Sequence, residues 1–191
     1  LTILFKKLPK VEPAHSKYNV SAALKRLSRN SNYKFSVVAQ FFYVGAQIGV
    51  WTFVVPYVME AQIGFDQADS AWWFYLASLL LFLASRFVFT ALMNTIRPEK
   101  LLTIASYLAA IFSLGAILAN GWLGVISVVL VSSCMSLMFP TIYGLGLQST
   151  GEDKKIGGSG IIMAIVGGAL LVPMQGFMTD GKLPEGDFFL N

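Results

Sequence analysis

Between Leu101 and Gly151 the chain runs fifty-one residues without one charged side chain. No soluble domain of 191 residues can hide that much unbroken apolar length, so the medium around most of this protein is lipid. Marking the apolar runs gives five spans: Ser36–Met59, Ala71–Ile96, Leu101–Ala119, Trp122–Gln148 and Ile156–Thr179. Each is long enough for a hydrocarbon core, which takes roughly 20 residues at about 1.5 Å of rise each. Asn120 and Gly121 form a turn signal that divides the long neutral stretch into two crossings. Unpaired backbone N–H and C=O groups are too costly in lipid, so every span is expected to be helical. The expected fold class is therefore all-α, a polytopic transmembrane helical bundle with five full spans.

If the spans alternate in direction, their connections sort by charge. One side receives the tail 1–34, the loop at Arg97–Lys100 and the loop Gly151–Lys155, with twelve Lys and Arg between Lys6 and Lys155. The other receives Glu60–Ser70, Asn120 with Gly121, and Asp180–Asn191, where Lys182 is the one basic residue. Twelve against one is a strong positive-inside asymmetry, and it places residue 1 in the cytoplasm. The net charge of +4 is thus a topology signal and gives no support to nucleic-acid binding.

Within the tail, Ser21 to Arg29 reads as a short helix with Ser21 as N-cap and Lys25, Arg26 and Arg29 facing water or headgroups. It is either a basic interfacial helix on anionic lipid or an ordinary solvated linker. His15 has no partner in sequence, and Cys134 stands alone in a span, so neither a metal site nor a disulfide framework is expected. Residues 1–5 read as the last turns of a preceding helix, and the apolar run after Asp187 as the start of another. The expectation is a piece of a longer membrane protein.

The spans carry polar residues in a pattern. Gln40, Tyr43, Gln47 and Trp51 share one side of the first helix, whose remainder is apolar. A primary amide unpartnered in lipid costs several kcal/mol, so this face should meet protein or water. Amides beside an indole suit sugars, which present hydroxyls at their rims and C–H patches on their faces. The competing reading is helix–helix glue, with Trp51 as an interfacial anchor. On the fourth span Ser132, Ser136, Phe139 and Tyr143 fall on one face, beside Pro140 and Gly144. With Gly45, Gly49 and Pro56 on the first span, this suggests two interrupted helices in an inverted three-plus-three repeat. Close packing through small residues is the alternative, and the fifth span, with Gly157, Gly158, Gly167 and Gly168, reads mainly as a packing helix. Arg86 is the one charge deep inside a span, so a carboxylate, a carbonyl or a water-filled cavity should meet it.

Three blocks together resemble the L-fucose permease family of the major facilitator superfamily: Ala39 to Trp51, Ser136 to Gly146, and Gly157 to Gly168. The resemblance runs from about Lys34 to Asp180. It implies most of the C-terminal six-helix half of a sugar–proton symporter in an inner cell membrane, lacking the last helix. Residues 1–34 would be the end of a helix plus the central cytoplasmic loop, and 35–191 the C-terminal bundle. The first and fourth spans would line the sugar cavity, with Gln47 and Trp51 matching the family's first block. Phe139 departs from the fucose permease pattern, which has Tyr before Pro-Thr-Ile, and suits related glucose/galactose permeases. The loop Arg97 to Lys100 resembles a worn form of the superfamily's basic motif, structural or gating.

The expected function is secondary transport of L-fucose or a related monosaccharide with protons by alternating access, with Gln40, Tyr43, Gln47, Trp51, Arg86, Phe139 and Tyr143 as sugar-binding candidates. The expected partners are the monosaccharide, protons, the lipid bilayer and the N-terminal half. A glucose/galactose permease, or a non-transporting scaffold or sensor on the same helices, is the alternative. An enzyme is not expected, because no motif pairs a nucleophile with a base, and no cofactor or metal is called for. The resemblance places the proton-carrying carboxylates in the N-terminal half.

Overall fold

The computed structural model describes residues 19–61, 68–119 and 121–180. The expectations for residues 1–5, His15, Asn120 and the segment after Asp180 lie outside the described residues. The chain forms α1 (Val20–Arg29), α2 (Ser31–Glu60), α3 (Ala68–Leu92), α4 (Pro98–Leu118), α5 (Trp122–Met135), α6 (Met138–Gln148), α7 (Lys154–Met163) and α8 (Val166–Asp180). A 3-10 turn, Gly151–Asp153, precedes α7. Among the described residues, five stretches are long and apolar enough to cross a membrane, and they correspond to the five expected spans.

α2 is the hub. It packs most extensively on α8 and also meets α3, α5 and α6, while α5 packs on α3 and α4. The α2–α8 contact works through glycine: a Cβ on Gly45 would fall 2.3 Å from Leu171 Cδ1, and one on Gly167 would fall 2.1 Å from the Phe41 carbonyl oxygen. Such close backbone approach replaces the hydrophobic drive that lipid does not provide between helices. The packing reading of Gly45 and Gly49 is the one the fold uses, since α2 continues unbroken from Ser31 to Glu60 with Pro56 in its final turns.

The interruptions fall in the fourth and fifth spans instead of the first and fourth. The fourth divides between Met135 and Met138. Pro140 is the cause: it lacks the N–H that would bond the Ser136 carbonyl four residues back, and its ring crowds that carbonyl. The fifth divides at Ala164 and Ile165, where the backbone tightens into three-residue bonds such as Ala164 N–H to Ile161 C=O, 3.2 Å. Between α4 and α5, Gly121 has φ 69°, which a residue with a Cβ rarely adopts. α4 starts with Pro98 in its first turn, where no helical N–H is needed, and Glu99 complements the helix dipole there.

The tail helix differs from its expected form. It starts at Val20, and Asn19, not Ser21, caps it by accepting from the Ala22 N–H at 3.3 Å. Nor is it a solvated linker. Ala23 and Leu27 are buried, and Arg26 forms a forked pair with Asp153, Nε to Oδ2 2.8 Å and Nη2 to Oδ1 2.7 Å. Asn30 makes the corner between α1 and α2. Its Oδ1 accepts from the Tyr33 N–H at 3.2 Å while its Nδ2 donates to the Ser149 carbonyl at 2.6 Å. Tyr33 then donates to the Gly157 carbonyl at 3.3 Å. The start of α2, the end of α6 and the start of α7 are thereby tied at one end of the bundle.

Candidate functional site

The polar side of α2 lies along the packed interior of the bundle. Gln40 is fully buried and neither amide atom has a partner among the described residues. Tyr43 is buried, and its hydroxyl donates to the Met135 carbonyl at 2.8 Å. Gln47 sits at the margin, 9% exposed, with no hydrogen bond among the described residues. Trp51 is half-buried, its indole N–H enclosed without a partner among the described residues and its ring edge-on to Phe82 of α3, centroids 5.1 Å apart. The indole borders a cleft of ≈ 350 Å³ shared with Ile48, Thr52 and Val55 of α2 and with Trp72 and Tyr75 of α3.

Across from this face, α6 presents Phe139, half-buried and tilted against the Tyr43 ring at 6.4 Å. Arg86 on α3 is exposed and has no carboxylate partner among the described residues. Tyr43 and Phe139 are thus brought together, with Arg86 on the neighbouring α3. Tyr143 is not part of that group: its hydroxyl lies against Gly158 of α7, 2.9 Å from where a Cβ there would stand.

A charged side chain at this depth and several buried polar atoms without partners are costly in an apolar bundle. Besides Gln40 and Trp51, the hydroxyls of Ser78, Ser132 and Ser136 are buried without a partner among the described residues. Ser85 and Ser133 solve the same problem by bonding to each other across α3 and α5. A larger cavity lies elsewhere. It measures ≈ 770 Å³, is lined mainly by apolar side chains of α2, α4 and α5 with Tyr57 and Glu60, and touches none of the candidate residues. Its hydrogen-bonding side chains are Tyr57, Glu60 and Ser113, whereas the α2–α3–α6 face carries two amides, a phenol, an indole and a guanidinium and is the better candidate for a polar solute.

Sequence reasoning missed two participants. Phe82 lies on the same side of α3 as Ser78, Ser85 and Arg86, the one signal that could have set it apart from the other phenylalanines. The Arg26–Asp153 pair joins residues 127 positions apart, so no local pattern could announce it.

Five apolar crossings around a polar-faced first helix define a multi-pass helical membrane protein. Over residues 2–173 the sequence matches the Major Facilitator Superfamily, and the chain belongs to that family. It is 39% identical over 94% of its length to an L-fucose-proton symporter of Haemophilus influenzae, covering 42% of that protein. It is 35% identical over 87% of its length to the L-fucose-proton symporter of Escherichia coli K12, covering 38% of it. A putative glucose/galactose transporter of Helicobacter pylori is 33% identical over 94% of this chain and 43% of its own length. The fold superposes on the crystal structure of the transporter FucP in the outward conformation with a TM-score of 0.85 at 33% identity, over 94% of this chain and 44% of that one. The chain therefore spans about two-fifths of the length of these relatives.

Proposed function

We propose that this chain is the C-terminal bundle of a sugar–proton symporter, working with an N-terminal half across a shared central cavity. Residues 1–34 then belong to the connection between the halves and 35–191 to the bundle, in an inner cell membrane with residue 1 cytoplasmic. The observation that carries the reading is the continuous similarity to an L-fucose-proton symporter, 39% identity over 94% of the chain. Gln47 at the margin of the packed face, Trp51 beside its cleft, and Arg86 with Phe139 supply an amide, an indole, a cation and an aromatic ring. These are the groups that hydroxyl-rich, C–H-faced sugars bind. Gln40 is enclosed and Tyr143 turned to α7, so both act behind the cavity surface in this conformation. The cation of Arg86 is left for the facing half or the sugar, and proton carriers belong to the N-terminal half, because no described span has an Asp, Glu or His in its interior.

L-Fucose is the leading substrate, and Phe139 favours glucose or galactose as the second reading, in keeping with the glucose/galactose transporters among the relatives. Calorimetric titration of the full-length protein with L-fucose, D-glucose and D-galactose tests both. Gln47→Ala should weaken binding of the accepted sugar by about 5- to 100-fold, the loss of a partner for a buried hydroxyl. Trp51→Ala should do comparable damage through lost stacking. Parent-like affinity in both variants makes these residues packing groups, whereas no binding of any of the three sugars by the parent returns the scaffold reading.

A further inference from the structure

We infer that Tyr43 is a positioning residue, its hydroxyl bonded to the carbonyl that ends α5 and its ring packed on Phe139 at the start of α6, so setting where Phe139 stands. The inference rests on the reading that Phe139 faces the sugar. Met135 ends α5 and α6 resumes at Met138, with Phe139 in its first turn. At the bend the backbone tightens, with Ser136 N–H to Ser133 C=O at 3.2 Å, and Thr141 N–H bonds Leu137 C=O at 3.3 Å. The Met135 carbonyl, the last of α5, accepts from the Tyr43 hydroxyl, 2.8 Å away in a buried setting. The Tyr43 and Phe139 rings meet with centroids 6.4 Å apart. One side chain of α2 therefore joins the last residue of α5 to the first turn of α6, across the kink that Pro140 makes. With 8% of its surface exposed and its hydroxyl committed, Tyr43 serves the sugar through Phe139 instead of by contact.

The test is a double-substitution cycle in the full-length protein, reading affinity for L-fucose and, in parallel, D-galactose by calorimetry. Tyr43→Phe keeps the ring and removes the donor, and should weaken binding by about 5- to 10-fold. Phe139→Ala should weaken it as well, and Tyr43→Phe should then have no further effect, because the group it positions is gone. An equal loss in both backgrounds overturns the inference, since Tyr43 would then act without Phe139. A loss for Phe139→Ala with none for Tyr43→Phe overturns the inference and leaves the proposed function standing. No loss for Phe139→Ala overturns the assignment of Phe139 to the cavity, and this inference with it. Should Tyr43→Phe fail to fold, Pro140→Ala reads the same bend by giving the Ser136 carbonyl its donor. Weaker binding at unchanged thermal stability then supports the inference, and unchanged binding overturns it.

Discussion

Replacing Arg26 with alanine should release α1 from the bundle while leaving the five crossings intact. Asp153 is 5% exposed, and both of its carboxylate oxygens receive N–H groups from Arg26, whose own side chain is 62% exposed. Stripping one partner from a fully buried pair costs roughly 3–5 kcal/mol, whereas an exposed pair is worth roughly 0.2–1 kcal/mol. With one partner enclosed and the other largely in water, the loss should be about 2 kcal/mol, between those limits. At about 1.4 kcal/mol per decade, that is roughly a 30-fold rise in the local opening of α1. The helix cannot absorb such a loss, because at 10 residues it is shorter than helices that stand alone in water. Hydrogen exchange followed by mass spectrometry on the full-length protein reads this directly, comparing peptides over residues 20–29 with peptides from α4. Exchange should accelerate in α1 alone, and Arg26→Lys, which cannot make the fork, should fall between parent and alanine. Unchanged exchange in α1, or equal loosening of α4, would refute the view that this pair anchors the tail helix.

Gly167→Ala should be among the most damaging small substitutions, by about 1–3 kcal/mol, because its methyl would meet the Phe41 backbone carbonyl. Gly144→Ala, with nothing within 4 Å of its Cβ position, should be neutral or stabilising by up to about 1 kcal/mol; thermal unfolding of both variants checks the contrast. Single cysteines at Glu99 and Lys154 should react with impermeant reagents only from the cytoplasm, and cysteines at Asp66 and Glu185 only from outside. Labelling of 99 and 66 from one side would overthrow the topology. In liposomes with an imposed pH gradient, residues 1–191 should show no sugar-dependent proton uptake while the intact transporter does, since Arg86 stays charged at any relevant pH. Uptake by the isolated chain would move coupling into these residues.

The crossings were legible in the sequence because the energy of placing a residue in lipid depends mainly on that residue and its near neighbours. A run such as Leu101 to Leu118, bounded by Lys100 and the Gly121 turn, needs no knowledge of the rest of the chain. The polar side of α2 was legible for the same reason, since helical periodicity alone aligns Gln40, Tyr43, Gln47 and Trp51. What each polar group does was decided by tertiary structure. Gln40 is enclosed, Tyr43 gives its hydroxyl to a carbonyl 92 residues away, and Trp51 rests on Phe82. Pro140 and Gly167 were both visible as residues. Pro140 breaks its helix through its own missing N–H, but Gly167 lets helices pack closely only because the Phe41 backbone comes alongside. The Arg26–Asp153 pair shows the limit most sharply, for a charge in a basic tail looks solvated until the fold brings a buried carboxylate to it. Partners far apart in sequence are chosen by the packing of whole helices, and only the assembled bundle contains that information.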